Sequence, residues 1–216
     1  MVPVISIVGK SGSGKTTLLE KVIKELVKKG YSVGILKHDA HGFEIDHEGK
    51  DSWRHKKAGA MTVALSSPEK FAVIKDVKKE WVPERIIYSY LSDADVVITE
   101  GFKTYWFPKI EVLRKAHSTK PVCAGHKELL AYATDVKIKT KLPLFDINDY
   151  KGIARFIEKE IIKKHDKKEI SLMVNGKPIV LKPFIENFIK DSVLGMIGSL
   201  KDCSDANEIE LRIRKK

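Results

Sequence analysis

Cysteine is scarce in this sequence of 216 residues: only Cys123 and Cys203 occur, and they lie far apart in the chain. They form no CxxC pair, which excludes a cysteine-based zinc or iron–sulfur site. So few cysteines are also typical of a protein that remains in a reducing compartment. We therefore expect a cytoplasmic protein without a disulfide framework.

Long apolar runs, a secretory leader and repeats are missing as well. No stretch reaches the ~18 uninterrupted apolar residues of a membrane-spanning helix. Residues 1–6 lack a basic segment and lead directly into a short apolar run that is followed by Gly9, unlike a signal peptide. We find no internal repeat and no low-complexity tract. These absences predict a globular protein without a membrane partner.

Basic residues are in clear excess. Lys and Arg number 40 against 29 Asp and Glu, which gives a formal net charge of +11. This balance predicts an anionic partner. Because nothing in the sequence resembles a module that reads nucleic acid, we expect a small anionic molecule rather than DNA or RNA.

Short β-branched runs alternate with an amphipathic helix at the start of the chain. Residues 4–8 and 33–36 predict strands buried on both faces of a parallel sheet. The apolar spacing over 18–27 predicts a helix between them. This alternation predicts a three-layer α/β domain with a mostly parallel sheet over residues 1–165. We expect further strands at 62–65, 71–74, 95–99, 110–113 and 121–124, and helices at 83–91 and 149–164.

The pattern changes after the polar run at 165–169, which we interpret as a linker. Two short apolar segments flank Asn175-Gly176, a dipeptide typical of a tight β-hairpin. Apolar residues at helical spacing follow over 184–197, and alternating apolar residues over 209–213 predict a last strand. Residues 170–216 are therefore expected to form a small α+β extension in the order strand, strand, helix, strand, with no role assigned.

The first glycine-rich segment carries the strongest chemical signal. Gly9-Lys10-Ser11-Gly12-Ser13-Gly14-Lys15-Thr16 matches the P-loop (Walker A) pattern G-x-x-x-x-G-K-[ST] without a mismatch. Small residues let backbone N–H groups surround a phosphate, and the helix that follows directs its positive end to the same place. Lys15 can reach the β- and γ-phosphates, and Thr16 can offer its hydroxyl to Mg²⁺. We predict a nucleotide site, with Thr17 as a further contact.

A P-loop needs an acidic residue nearby to hold Mg²⁺ or its water. The predicted strand over 96–99 is preceded by Asp95 and followed by Glu100. Ligands of open α/β sheets bind beyond the carboxyl ends of the strands, which favours Glu100 over Asp95. Asp39 follows the strand at 33–36 on the same edge and is a second candidate for the metal. A solvated carboxylate at a strand end is the alternative.

The residues before Asp39 lie at the same edge. We predict that Lys37 and His38 contact the nucleotide or another substrate, with a plain solvated loop as the alternative. His38, His41 and His47 also suggest zinc, but their spacing matches no common closed zinc pattern.

Two basic groups flank segments that should open on this edge, and either could receive a polyanionic substrate. Trp106 and Phe107 beside the second group could stack on a ring. A charged surface over a core aromatic residue is the alternative. The groups are Lys50, Arg54, Lys56 and Lys57, and Lys103, Lys109, Arg114 and Lys115.

Four segments occur in the order found in a known family. They are the P-loop GKSGSGKTTL, the post-strand LKHDAHGFEIDHEGKDSWRHKKAGA, the strand end ITEGFK and the segment PKIEVLR. Together, over residues 1 to about 165, they resemble the molybdopterin-guanine dinucleotide biosynthesis protein B (MobB) family. The resemblance implies a dimeric GTP-binding protein with weak hydrolysis. It would assist a MobA-type guanylyltransferase that joins GMP to molybdopterin, in a molybdenum or tungsten cofactor.

The resemblance also implies roles for individual residues. Residues 12–17 would hold the phosphates, Thr16 and Glu100 would bind Mg²⁺, and Lys15 and Glu100 would be the catalytic pair. The loop over 37–60 and the segment 101–114 would contact the pterin, its guanine dinucleotide or the partner enzyme. The extension at 170–216 lies outside the minimal family pattern.

Two further predictions concern the base and the first lysine of the P-loop. The choice of GTP over ATP rests on the resemblance, because the chain has no N-K-x-D guanine motif. Asp135, which follows a predicted strand, is the candidate for recognising the base. Lys10 holds the position at which dimeric P-loop ATPases of the K-G-G-x-G-K-T type keep a lysine that reaches the partner's nucleotide. A solvated loop lysine is the alternative there.

Two other functions require an identical P-loop. One is a small-molecule kinase or ligase, in which the γ-phosphate moves to an acceptor bound near 37–57. The other is a non-catalytic carrier of a nucleotide or cofactor. The sequence does not separate these functions from weak GTP hydrolysis.

Overall fold

The structure is a computed structural model that describes residues 2–39, 42–165, 170–203, 206 and 208–213. The chain divides into two compact units, residues 2–165 and residues 166–216. Within the described residues, no helix combines the length and apolar character needed to cross a bilayer.

The first unit alternates strands and helices along the chain. Its elements are β1 (Val4–Val8), α1 (Lys15–Lys28), β2 (Val33–Lys37), α2 (Asp51–Lys57), β3 (Thr62–Ser66), β4 (Phe71–Lys75), α3 (Pro83–Tyr90), β5 (Val96–Glu100), β6 (Lys109–Leu113), β7 (Leu129–Thr134), β8 (Leu144–Phe145) and α4 (Tyr150–Ile157). A π-helical turn, Glu158–Ile162, continues α4.

Six of these strands form one parallel sheet in the order β2-β5-β1-β6-β7-β8. Every residue of β1 is buried, because strands at the centre of a parallel sheet are covered on both faces. β3 and β4 pair with each other in a separate antiparallel hairpin. The carboxyl ends of the six parallel strands meet at one edge of the sheet, the edge at which the P-loop begins.

Helices cover both faces of the sheet and give the predicted three-layer α/β architecture. Leu26 of α1 and Ile153 of α4 are fully buried against Ile5 and Ile98 on one face. On the other face Ile87 of α3 packs in a cluster with strand residues and Phe107. Burial of one such aliphatic side chain contributes about 1.5–3 kcal/mol to folding.

Three features of this unit differ from the prediction. The loop expected over 37–60 contains the seven-residue helix α2, in which only Ser52 is buried, so no apolar stripe marks it in the sequence. Residues 121–124 form no strand, because the Val122 and Cys123 amides donate to the buried Glu111 carboxylate at 2.5 and 3.0 Å. β8 has two residues, too few for a recognisable pattern.

The carboxy-terminal unit contains the predicted hairpin and helix. β9 (Leu172–Val174) and β10 (Lys177–Ile179) pair in antiparallel fashion, and Asn175 and Gly176 between them have φ values of 51° and 76°. Both central residues of a type I′ turn need positive φ, which explains the Asn-Gly dipeptide. α5 (Pro183–Gly198) starts with proline at its first position.

The strand predicted over 209–213 is wrong. Residues 208–213 are described and belong to no strand, and Leu211 and Ile213 are 64% and 80% exposed. Alternation of apolar residues specifies one buried face only where a neighbouring strand is available for pairing. Most of the predicted linker, residues 166–169, lies outside the described part of the chain.

Candidate functional site

P-loop residues 9–14 connect β1 to α1, and Lys15 and Thr16 begin α1, which is the strand–loop–helix context that the motif requires. Gly14 has φ +85°, a left-handed conformation that other residues adopt at a cost. At Gly9 a Cβ atom would lie 2.4 Å from the Val112 carbonyl oxygen. These positions therefore need glycine, and the backbone can approach a ligand closely.

The Lys15 side chain folds back over the P-loop. Its Nζ donates to the Lys10 carbonyl oxygen at 2.8 Å. Burial lowers the pKa of Lys15; the cations Lys103 and Lys37 lower it further, and Glu100 opposes them. Lys15, Lys37 and Lys103 thus form a local concentration of positive charge at the mouth of the P-loop, which suits an anionic ligand.

A hydroxyl–carboxylate pair lies beside this cation. Thr16 Oγ1, in the first turn of α1, donates to Glu100 Oε1 and Oε2 at 3.0 and 3.2 Å. Glu100 ends β5, the direct neighbour of β1 in the sheet. These oxygen ligands are of the kind that Mg²⁺ prefers.

Asp95 lies at the opposite end of β5. Its Oδ2 accepts hydrogen bonds from the backbone N and the Oγ of Ser32 at 2.9 and 2.8 Å. Asp95 thus fixes the turn before β2, on the edge of the sheet away from the P-loop.

Ser13 provides a test of whether the P-loop residues fit a bound phosphate. The side chain is 2% exposed, and its hydroxyl is buried without a hydrogen-bond partner in the described structure. An unsatisfied buried hydroxyl costs roughly 1–3 kcal/mol. A phosphate oxygen or an ordered water in the loop would satisfy it, so the site fits an anionic ligand.

Lys37 and His38 follow β2 at the same edge. Lys37 is paired in register with Glu100, and the His38 amide donates to the Glu100 carbonyl oxygen at 3.0 Å. The His38 ring lies 3.0 Å from Glu80 Oε1 and 4.9 Å, between ring centroids, from Phe102. Asp39 is exposed beside His38.

The described residues contain no cluster of three or more His, Cys, Asp or Glu placed to hold a metal ion. His41, one of the three histidines considered for zinc, lies outside the described part of the chain.

The structure places two of the basic and aromatic candidates, Lys109 and Phe107, in the protein core. Lys109 is fully buried, and its Nζ donates to the carbonyl oxygens of Tyr105 and Lys103 at 2.6 and 3.2 Å. Phe107 is 1% exposed and cannot stack on a ligand. Trp106, in contrast, is 57% exposed, and its indole N–H donates to Glu84 Oε1 at 2.9 Å. The substrate role considered for Lys109 and Phe107 is therefore wrong, since both hold the 101–108 segment on the sheet.

On the other side of the P-loop, the chain after β6 approaches the glycines. A Cβ on Gly12 would lie 2.9 Å from the His117 ring, and one on Gly14 would lie 3.4 Å from Arg114 Nη1. Asp135, after β7, accepts a hydrogen bond from the Lys115 amide at 2.6 Å. Sequence reasoning missed His117, for which no local pattern gave a signal.

The chain is similar to proteins of one family. The family model "Molybdopterin guanine dinucleotide synthesis protein B" (MobB) matches residues 4–135. The molybdopterin-guanine dinucleotide biosynthesis adapter protein of Haemophilus influenzae is 40% identical over 163 residues, covering 73% of this chain and 88% of that protein. The crystal structure of a molybdopterin-guanine biosynthesis protein B (mobB) is 34% identical, covers 71% of this chain and 95% of its own, and superimposes with a TM-score of 0.58.

The carboxy-terminal unit is matched in a longer relative. The putative molybdopterin-guanine dinucleotide biosynthesis adapter protein of Methanocaldococcus jannaschii is 28% identical over 234 aligned residues, covering 97% of each chain. The family model alone spans more than half of this chain, from β1 to the end of β7. The chain therefore belongs to the molybdopterin-guanine dinucleotide biosynthesis protein B (MobB) family.

Proposed function

We propose that this protein is a nucleotide-dependent adapter in molybdopterin-guanine dinucleotide biosynthesis, which binds GTP with Mg²⁺ and hydrolyses it slowly. The observation that carries the proposal is the contact of Thr16 Oγ1 with Glu100, at 3.0 Å, beside the P-loop. A P-loop hydroxyl and a carboxylate from the adjacent strand are the protein groups that hold Mg²⁺ on the β- and γ-phosphates of a nucleotide.

The residues around this pair have complementary roles in the proposal. The amides of residues 9–17 surround the phosphates, and Lys15 stabilises the negative charge that develops on the γ-phosphate during hydrolysis. Glu100 orients the metal or its water, with Asp39 as a second acid. Lys37 and His38 lie beyond Glu100 and contact the γ-phosphate end. Bound Mg²⁺ supplies the charge neutralisation that these groups alone do not provide.

Membership of the family supports the proposed partners. The names of the two relatives assign them to molybdopterin-guanine dinucleotide biosynthesis as adapter proteins. We propose that this chain likewise serves the MobA-type guanylyltransferase and molybdopterin or its guanine dinucleotide, and that it does so as a homodimer. The β3–β4 hairpin offers exposed Leu65 and Phe71 for contacts with another chain.

The test uses GTP labelled on the γ-phosphate, purified protein, a guanylyltransferase and molybdopterin. We expect slow release of labelled inorganic phosphate, and faster formation of the guanine dinucleotide than in the reaction without this protein. Lys15→Ala should abolish both the phosphate release and the acceleration. Guanylyl transfer leaves the label in pyrophosphate, so label in a product other than phosphate or pyrophosphate would instead establish a kinase or ligase. Bound label that never turns over, with or without the partner enzyme, would establish a carrier.

A further inference from the structure

The order of strands gives a bound nucleotide a direction along the sheet edge. The P-loop follows β1, which lies between β5 on one side and β6, β7 and β8 on the other. Glu100, at the end of β5, marks the side of the metal and the γ-phosphate. The nucleoside then lies toward the ends of β6–β8, where the next residues are Arg114, Asp135 and Asp146.

A small cavity opens on that side of the P-loop. Its volume is about 50 Å³, and its walls include Gly14 and Thr17 on one side and Arg114, Ile147 and Asn148 on the other. Thr17 follows Thr16 directly, so the cavity begins one residue beyond the proposed metal ligand. Buried Leu18 contributes an apolar surface. An apolar floor with a few polar groups at its rim is the usual character of a ligand pocket.

Hydrogen bonds to the backbone hold both polar walls of the cavity. Asp135 Oδ1 accepts the Lys115 amide at 2.6 Å, which fixes the turn that begins at Arg114. Asp146 Oδ1 accepts the Asn148 amide at 2.8 Å, in the turn between β8 and α4. The side chains of Arg114 and Asn148 are exposed at the rim, where a ligand can reach them.

We propose that this cavity is the nucleoside subsite, with the Asn148 side chain reading the edge of a purine base and the Arg114 guanidinium covering its face. The inference rests on the proposed function, since it assumes that the phosphates bind in the P-loop. An amide side chain can donate and accept together, which suits a base edge, and a planar guanidinium stacks on rings. In this arrangement Asp135 is a positioning residue for Arg114 and does not itself read the base.

The rim moves when a base enters. About 50 Å³ is the space of one or two water molecules, so only one edge of a ring fits before Arg114 and Asn148 swing outward. Both are exposed side chains, for which rotamer changes cost little.

The experiment compares GTP with inorganic tripolyphosphate, which has the phosphates but no nucleoside. Calorimetric titrations with Mg²⁺ use the wild-type chain, Asn148→Ala, and Asn187→Ala as a control at an exposed asparagine of the carboxy-terminal unit. We expect Asn148→Ala to weaken GTP binding about tenfold, the discrimination of one good pair of hydrogen bonds. Its binding of tripolyphosphate should equal that of the wild type, and Asn187→Ala should change neither.

The possible failures are distinguishable. GTP affinity unchanged in Asn148→Ala, or weakened equally for GTP and tripolyphosphate, would overturn the nucleoside subsite and leave the P-loop function intact. Equal affinity of the wild-type protein for tripolyphosphate and GTP would also overturn the nucleoside subsite and leave the P-loop function intact. Wild-type protein that binds neither probe would overturn the proposed function together with this inference.

Discussion

At the scale of single residues, the account depends on three side chains that meet at the mouth of the P-loop. Lys15 brings a partly buried cation, Thr16 a hydroxyl and Glu100 a carboxylate, and Thr16 and Glu100 are already in hydrogen-bond contact. Because β5 and the first turn of α1 hold this arrangement, little reorganisation is needed when charge develops on a phosphate.

Substitution of Glu100 tests the metal role. In Glu100→Gln the neutral amide keeps the shape of the side chain and loses the charge that attracts Mg²⁺. The gain in GTP affinity on adding Mg²⁺ should be at least about tenfold smaller in this variant than in the wild type. The affinity for GTP without Mg²⁺ should change little. Fluorescence titration of a labelled GTP analogue at several Mg²⁺ concentrations measures both quantities.

The control for Glu100 is Asp95→Asn at the other end of β5. Asp95 binds Ser32 on the far edge of the sheet, so its loss should leave the Mg²⁺ dependence of GTP binding unaltered. Equal effects of the two substitutions on that dependence would contradict the assignment of the metal to the carboxyl edge.

The pKa of Lys15 predicts the alkaline limit of nucleotide binding. Burial lowers this pKa from its ordinary value of 10.5, so the side chain loses its positive charge at a lower pH than an ordinary lysine. GTP affinity should therefore be constant near neutral pH and fall as the pH rises toward 10. Binding curves between about pH 7 and 10 measure the decline.

Lys15→Arg is the matched control for this titration, since a guanidinium keeps its charge throughout that range. Its affinity for GTP, though weaker at the start, should not decline with pH. A parallel decline in both proteins would show that another group titrates.

The site could be predicted from the sequence only where its signal is local. The P-loop is one continuous segment, and strand direction distinguishes Glu100 from Asp95. Burial of Lys109 and Phe107 depends on the path of the 101–108 segment over the sheet, which no local pattern records. Asn148 was missed because it follows a strand of two residues.

At the scale of elements, the same reasoning explains which strands and helices were predictable. β1 and β5 are β-branched runs covered on both faces, and their composition reflects this directly. α2 has a single buried residue, and the 121–124 segment gives its amides to Glu111 rather than to a strand. Polar side chains that replace backbone pairing have no periodic signature.

The packing of α4 on α1 predicts a measurable part of the stability. Ile153 of α4 is fully buried in the cluster that α1 and α4 form with the sheet, so Ile153→Ala should lower the free energy of unfolding by about 2–5 kcal/mol. Urea denaturation followed by circular dichroism measures it. Lys151→Ala, at an exposed position two residues before Ile153 and on the opposite side of α4, should cost less than about 0.5 kcal/mol. Comparable losses would contradict the described packing.

At the scale of the whole molecule, charge and organisation fit the account. The net charge of +11 includes the cations gathered at the P-loop, where an anionic nucleotide explains them. We propose that residues 170–216 form a small extension, to which no role is assigned. The relative from Methanocaldococcus jannaschii, which covers 97% of this chain, shares that part of the sequence.

We propose that in a homodimer Lys10 acts between the two chains. Its side chain is exposed, and its carbonyl oxygen already binds Lys15. If Lys10 reaches the partner's nucleotide, Lys10→Ala should lower GTP hydrolysis several-fold at protein concentrations where the dimer forms, and not where it dissociates. The test measures phosphate release over a dilution series of the protein. Light scattering at each concentration gives the molecular mass and so distinguishes dimer from monomer. Hydrolysis unchanged at every concentration would exclude this role.

The central claim is that this chain binds GTP through its P-loop, and titration of the purified protein with GTP and with ATP in the presence of Mg²⁺ tests it most directly. We expect saturable binding of GTP, weaker binding of ATP, and loss of both in Lys15→Ala. Equal affinity for the two nucleotides would contradict the guanine assignment, and binding that survives Lys15→Ala unchanged would contradict the site itself.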